Sequence, residues 1–317
     1  RHPPRSTLFP YTTLFRSMTQ ATISGNVHFI ARDDSDAIEI CQKLLTYLPS
    51  NNTQDPPMTG DSEILIIEDE TLNHVIPDDP RDPYNMWEVL TRIFDPDSFF
   101  EVQPHFATNM IVSFARLNGR VVGIVANQPV EKFGAIDINA SDKAARFIRF
   151  CNAFNIPLVS FVDVPGFLPG VEQEFGGIIR HGAKMLFAFS AATVPKVTVI
   201  LRKAYGGAYL AMSAKSLGAD RVAAWPTAEV AVMGAEGAIS VLFKDEIKNA
   251  ANPKEKRKEL IDRYREEFAS PYPAAAEGMI DSIIEPKQTR HFLSISLESL
   301  RNKRELRPAK KHGLIPL

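Results

Sequence analysis

The sequence predicts an α/β domain with stacked crossovers between strands and helices. Two observations predict it. Apolar, β-rich runs such as residues 157–162 and 196–201 alternate with stretches of helical period, and glycine-bearing turns lead from buried strands into helices. At 317 residues the chain is long enough to bury a sizeable core, as one large domain or two ordinary ones. The alternation by itself leaves open a doubly wound sheet and a spiral of ββα units.

The elements follow in order. Residues 27–30 read as a short β piece before a helix with Ile38, Cys41, Leu44, Leu45 and Leu48 on one face. Acidic residues from Asp33 to Asp36 suit its positive N-terminal end. Residues 49–60, with Asn51, Asn52, Pro56, Pro57 and Gly60, read as a linker and mark the expected domain boundary. Helical spacing at Trp87, Leu90, Ile93 and Phe94 precedes two alternating runs, 110–117 and 120–125, joined by Asn118-Gly119. That dipeptide predicts a type I′ hairpin, because both of its residues tolerate positive φ. A helix over about 141–154, N-capped by Asn139, leads to the strand at 157–162. A glycine turn and a helix over about 176–191 come next, then the strand at 196–201 and short strands within 222–232. The tail reads as charged helices over 253–268 and 287–302.

Composition narrows the function classes. Lys and Arg total 36 against 38 Asp and Glu, a net charge of −2, which argues against a nucleic-acid or anionic-membrane partner. Cys41 and Cys151 are the only cysteines, without a CxxC motif or Cys/His cluster. This favours a reducing, cytoplasmic setting, with both thiols as buried apolar residues and no zinc or disulfide framework. Apolar stretches such as 186–194 fall short of the ~20 residues that span a bilayer, so no membrane insertion is expected. Residues 1–17 contain a near-duplicate, Ser6-Thr7-Leu8-Phe9-Pro10 and Thr12-Thr13-Leu14-Phe15-Arg16, and Met18 opens what reads as the natural frame. They resemble translated adapter sequence, a non-native artefact. A transit peptide is the competing reading, since the stretch carries Arg1, Arg5 and Arg16 and no acid.

The run Arg202-Lys203-Ala204-Tyr205-Gly206-Gly207-Ala208-Tyr209-Leu210-Ala211-Met212 carries the chemistry. Two adjacent glycines at a strand end allow positive φ and close approach of a ligand. With a helix starting at about Tyr209, the Gly207 and Ala208 amides lack intrahelical acceptors and can hold an oxyanion. The glycine pair alone also fits a tight packing turn.

Five motifs widen this into a resemblance over residues 18–317. They are Asp137-Ile138-Asn139-Ala140-Ser141-Asp142-Lys143-Ala144-Ala145-Arg146-Phe147; Phe161-Val162-Asp163-Val164-Pro165-Gly166-Phe167-Leu168-Pro169-Gly170; Glu174-Phe175-Gly176-Gly177-Ile178-Ile179-Arg180-His181-Gly182-Ala183-Lys184; the 202–212 run; and Ala224-Trp225-Pro226-Thr227-Ala228-Glu229-Val230-Ala231-Val232-Met233-Gly234. In this order they resemble the carboxyltransferase (β) subunits of biotin-dependent acyl-CoA carboxylases. The resemblance selects the crotonase-like spiral. It implies that residues 18–60 are the remnant of an N-terminal carboxyltransferase domain with its linker. Residues 61–317 are then the C-terminal, biotin-side domain.

The implied reaction moves a carboxyl group between carboxybiotin and the α-carbon of a short-chain acyl-CoA. Negative charge develops on the biotin ureido oxygen and on the thioester oxygen, so two sets of fixed donors are needed. The resemblance puts Gly207 and Ala208 N–H on the biotin side. It leaves the acyl-side donors on an N-terminal glycine-rich loop that this sequence does not contain, and the chain alone is expected not to complete the transfer. Biotin is expected on a partner protein, acyl-CoA as substrate, and no metal in this chain. The implied partners are a biotin carboxylase and a biotin carboxyl carrier protein, in a homo-oligomer of hexamer type with dimer-based active sites. The carboxyltransferase subunit of a sodium-translocating methylmalonyl-CoA decarboxylase, which docks on a membrane subunit, and a non-catalytic assembly module are the alternatives.

Tyr205, Gly206, Gly166 and Phe167 are candidates for the biotin cleft, although the proline- and glycine-rich loop after Val164 also fits a rigid connector. Propionyl-preferring family members carry Asp where this chain has Leu210, which makes Leu210 a specificity candidate as well as a core-packing one. His181 beside Arg180 suggests acid–base work, but its helical context favours a hydrogen-bonded surface residue. Glu229 would need a second convergent carboxylate to act as a hydratase, and none is placed by motif; Asp163 could serve only by coincidence of fold. The charged tail, 244–267, reads as a solvated amphipathic helix with Lys254, Glu255, Lys258 and Glu259 on its surface, with partner docking as the alternative.

Overall fold

The structure is a computed structural model that describes residues 18–60, 67–308 and 316. The adapter-like stretch 1–17 and the first residues of the expected second domain, 61–66, lie outside the described residues. The strands are β1 (Phe100–Glu101), β2 (Met110–Leu117), β3 (Arg120–Asn127), β4 (Leu158–Val164), β5 (Lys196–Tyr205), β6 (Arg221–Ala224), β7 (Glu229–Ala231) and β8 (Ser282–Ile283). The helices are α1 (Asp34–Leu45), α2 (Met86–Ile93), α3 (Ile138–Ala153), α4 (Val171–Gly176), α5 (Ile178–Ala191) and α6 (Gly206–Ala211). Beyond them lie α7 (Ala235–Leu242), α8 (Lys244–Asn249), α9 (Pro253–Tyr264), α10 (Pro271–Ala276) and α11 (Thr289–Ser299).

One sheet runs in the order β1-β2-β3-β4-β5-β6-β8. β1 to β3 pair antiparallel, and every later pairing is parallel. Strand order follows chain order, without the reversal that marks the switch point of a doubly wound sheet. β5 also divides one of its edges. β6 pairs along Val197 to Ile200, and β7 takes over along Lys203 to Tyr205. The result is the crotonase-like spiral rather than a doubly wound layer.

Both faces of the sheet are buried, so β4 and β5 are largely apolar through their middles, with side chains alternating between two cores and the charged Asp163 and Arg202 near their carboxyl ends. On one side Val162 and Ile200 meet Phe147 and Ile148 of α3 and Met185 and Phe189 of α5. On the other, Phe161 and Val199 meet Leu90 and Ile93 of α2, Trp225 and Leu293 of α11. Each such side chain contributes about 1.5–3 kcal/mol on burial. A small third core joins Ala235 and Ile239 of α7 to Leu260 and Ile261 of α9. The Asn118-Gly119 turn has φ of 51° and 75°, the type I′ geometry that its sequence predicts.

Several expectations need correction. Residues 27–30 form no strand; they meet the sheet region through the Gln103 N–H donating to the His28 carbonyl at 3.1 Å and through the Phe29 ring stacked on Phe100 of β1 at 4.7 Å between centroids. In α1 the inward side chains are Ile40 and Leu44, joined by Leu48 just beyond the helix, while Ile38, Leu45 and Cys41 face water. Of the two thiols only Cys151 is buried. Asp137, not Asn139, caps α3, accepting from the Ala140 N–H at 2.8 Å. The helix expected over about 176–191 runs as α5 from Ile178, and a short helix not expected from the sequence, α4, precedes it across Gly177, which turns left-handed at φ 89°. In the tail, Lys256 pairs with Glu259 at 3.0 Å and Glu246 at 3.3 Å, and α9 ends in a π turn at Arg265–Ala269.

Candidate functional site

At the carboxyl end of β5 the chain turns directly into α6, three residues earlier than the sequence suggests. Gly206 has φ 55°, and a Cβ there would lie 2.8 Å from the Val232 carbonyl oxygen. The corner can therefore form only with glycine. Gly206, Gly207 and Ala208 occupy the first helical positions, where amides have no acceptor one turn back. Tyr205 provides no side-chain cap, and neither the Gly207 nor the Ala208 N–H donates to a turn or loop carbonyl among the described residues. Gly207 is exposed, and the nearest atom to a Cβ added there is Phe167 Cε2 at 3.9 Å.

Phe167 stands between this corner and α5. Its ring lies so close over Gly182 that a Cβ there would approach Phe167 Cε1 to 2.9 Å. A two-way bridge fixes the loop that carries it: the Ile136 N–H donates to the Gly166 carbonyl at 3.1 Å, and the Leu168 N–H to the Ile136 carbonyl at 2.8 Å. Gly166 has open space where a Cβ would stand. Val171, Phe175 and Ile179, one turn apart along α4 and the start of α5, are 66%, 88% and 79% exposed. Leu210, one turn into α6, is 39% exposed.

Beneath the corner the side chains are tied to one another. The buried Tyr205 hydroxyl donates to Glu229, and burial, with the Glu229 charge second, holds this phenol far above its usual ionisation range. Burial alone pushes Tyr209 up to about 12. Tyr205 thus contributes backbone to the corner, with its ring turned inward. Arg265 Nε lies 3.5 Å from Glu229. Asp163 is paired with Arg202 Nε at 3.0 Å and accepts from the Lys203 N–H at 3.1 Å. Both carboxylates are held by protein partners, so they do not converge on a common substrate position as a hydratase pair would.

His181 Nδ1 lies 2.7 Å from Asp142 on α3, and Lys184 reaches the same carboxylate at 3.0 Å. His181 therefore links two helices. A cavity of about 510 Å³ sits at the opposite end of the sheet, lined by Asn118, Arg120, Pro157 and Lys303, and no corner residue borders it. Among the described residues no group of three or more His, Cys, Asp and Glu side chains is arranged to hold a metal ion. No helix among them is long and apolar enough to cross a membrane. The Tyr205, Glu229 and Arg265 contacts escape sequence reasoning, because no periodicity connects residues brought together by a strand, its neighbour and a π turn.

The family model described as Carboxyl transferase domain matches residues 14–315. Methylmalonyl-CoA decarboxylase subunit alpha of Propionigenium modestum is 53% identical over 301 residues, covering 95% of this chain and 58% of that protein. The carboxyltransferase subunit of propionyl-CoA carboxylase of Haloferax mediterranei is 54% identical over 302 residues, covering 94% and 58%. The crystal structure of transcarboxylase 12S, described as a hexamer with methylmalonyl-coenzyme A bound, superposes with a TM-score of 0.92 at 53% identity, over 95% of this chain and 58% of that one. The chain thus spans a little over half the length of the relatives that it matches.

Proposed function

The chain belongs to the carboxyl transferase domain family, and on that premise we propose that it forms the biotin side of a carboxyltransferase for short-chain acyl-CoA thioesters. The observation that carries this reading is the pair of adjacent amides at the glycine corner, which donate to no turn or loop carbonyl among the described residues, at the exposed Gly207 beside the Phe167 ring. They fit biotin in number and kind: its ureido oxygen is a small acceptor with room for two donors. Biotin, carried on a partner protein, supplies the carboxyl group and a basic ureido nitrogen.

The chain's own residues do the rest. Gly207 and Ala208 N–H hold the ureido oxygen, each such donor contributing about 3–4 kcal/mol where charge develops. They are fixed by strand and helix before any ligand arrives, so no reorganisation is needed. Phe167, backed by Gly182, walls the cleft and limits water. Gly166 and Gly206 let the chain turn closely around it, and the Tyr205 backbone leads into α6. Leu210 lies on the acyl side as a specificity residue.

Residues 18–60 are assigned to the end of an N-terminal carboxyltransferase domain and its linker, and 61–317 to the C-terminal one. A biotin carboxylase, a biotin carboxyl carrier protein and further copies of this chain are the partners. The exposed stripe Val171, Phe175 and Ile179 beside the corner supports a second copy closing the site, since apolar patches at this exposure favour burial. Unpaired cysteines fit the cytoplasm. Identity of 53% to a methylmalonyl-CoA decarboxylase subunit supports a second reading, the same transfer run toward decarboxylation. Calorimetric titration of the chain with biotin and with a biotinylated carrier peptide tests the main reading. Saturable binding that Gly207→Ala abolishes is expected, and no binding of either ligand refutes it.

A further inference from the structure

The Tyr205–Glu229 pair lies directly behind the amides assigned to biotin, and the chemistry proposed above leaves it without a role. The β5–β7 register sets Glu229 opposite Lys203 and Ala231 opposite Tyr205. Lys203 and Tyr205 are two residues apart and share a sheet face, so the Glu229 carboxylate reaches along that face to the Tyr205 hydroxyl. Tyr205 is both the last residue of β5 and the residue that precedes the first turn of α6. Its ring is packed so tightly against Gly234 that a Cβ there would stand 3.1 Å from Tyr205 Cε2. The same segment presses on the corner from the other side, through the Val232 carbonyl against Gly206.

Arg265 closes the arrangement. From the start of the π turn it lies 3.5 Å from Glu229 Oε1 through Nε and 2.7 Å from Glu236 Oε1 through Nη2. A continuous chain of contacts therefore runs from Glu236 through Arg265, Glu229 and Tyr205 to Gly206. We infer that Glu229 is a positioning residue, which fixes the Tyr205 phenol and, through it, the angle at which α6 presents the Gly207 and Ala208 amides. Neither Glu229 nor Arg265 touches biotin. Oxyanion donors lose effect when displaced by about 0.5 Å, a shift that a tilting phenol at the first residue before the helix transmits directly.

This inference rests on the biotin reading of the corner, and one experiment separates the two. The ¹⁵N-labelled chain is titrated with biotin while the Gly207 and Ala208 amide resonances are followed, in the wild type and in Tyr205→Phe, Glu229→Gln and Glu229→Ala. Melting temperatures are recorded alongside. The expected result is that wild-type amides move on binding, and that Tyr205→Phe weakens biotin about tenfold (about 1.4 kcal/mol) at an unchanged melting temperature. Glu229→Gln, whose amide oxygen still accepts from the phenol, retains most of the affinity that Glu229→Ala loses. Wild-type affinity and wild-type amide shifts in Tyr205→Phe overturn the positioning role and leave the corner reading intact. Wild-type amides unmoved by saturating biotin overturn both. Should Tyr205→Phe fail to fold, the Glu229 pair decides: rescue by Gln supports the role, and equal affinity in Gln and Ala overturns it.

Discussion

Arg202 and Asp163 meet at 3.0 Å with both side chains buried, joining the carboxyl ends of β5 and β4 just before the glycine corner. The same guanidinium donates to the Asp82 carbonyl at 2.9 Å and lies over the Tyr84 ring, 5.0 Å from its centroid. The loop before α2 is thereby clamped onto the strand ends. Because both charges have left water, their value lies in being together.

Arg202→Met is accordingly expected to cost about 3–5 kcal/mol, since it leaves the Asp163 carboxylate buried without a cation. Adding Asp163→Asn should recover much of the loss. Urea unfolding of the two single variants and the double variant measures this, and additive single effects would contradict the coupling.

The two corner glycines should behave oppositely. Gly206→Ala forces a side chain into positive φ and against the Val232 carbonyl, and is expected to destabilise the fold by about 1–3 kcal/mol. Gly207→Ala meets only Phe167 at van der Waals distance, so its unfolding midpoint should stay at the wild-type value while biotin binding is lost. Thermal melts and titrations of both variants check the contrast; a Gly207→Ala protein that melts early would assign that glycine to folding.

Leu210 is part-exposed on a short helix, so Leu210→Asp should change stability by no more than about 0.5 kcal/mol. Its effect belongs to selectivity. In an assembled carboxyltransferase the ratio of kcat/KM for propionyl-CoA over acetyl-CoA should shift several-fold, and an unchanged ratio removes Leu210 from the acyl pocket.

Burial lowers the Lys143 ammonium from 10.5 to about 8, and its Nζ donates to the Phe106 carbonyl at 2.7 Å. Between these two values the unfolded chain binds more protons than the folded one, so this group's contribution to stability rises with pH. Below about 8 both states are protonated and the full cost of burying the charge is present. Relative to Lys143→Met, the wild type should gain about 1 kcal/mol per pH unit from pH 8 to 10 and show a constant difference below 8. A difference that stays constant up to pH 10 is incompatible with a buried charged amine.

Most of the architecture was legible where one physical signal decided it. The Asn118-Gly119 hairpin, the buried strands β4 and β5 and the glycine corner all follow from backbone freedom or continuous apolarity. Misses cluster where tertiary contact overrides local pattern. Asn139 and Asp137 are both good caps, and only the fold decides that Asp137 stands one turn ahead of Ala140. α1 offers two apolar stripes, and the core takes Ile40 and Leu44 rather than Ile38 and Leu45. Within the site, glycines are readable because no other residue replaces them. The Tyr205, Glu229 and Arg265 chain is not, since each of these residues is unremarkable in its own segment.

The divided edge of β5 bears on how the corner behaves in time. β6 and β7 grip successive stretches of the same strand, with β4 along its other side. The strand's exit is thus anchored like a beam built into two walls, and hydrogen exchange at Ala204 and Tyr205 should be among the slowest in the molecule. Thermal motion reaches the corner mainly from its free side, through α6, so the two amides stand assembled before any ligand arrives.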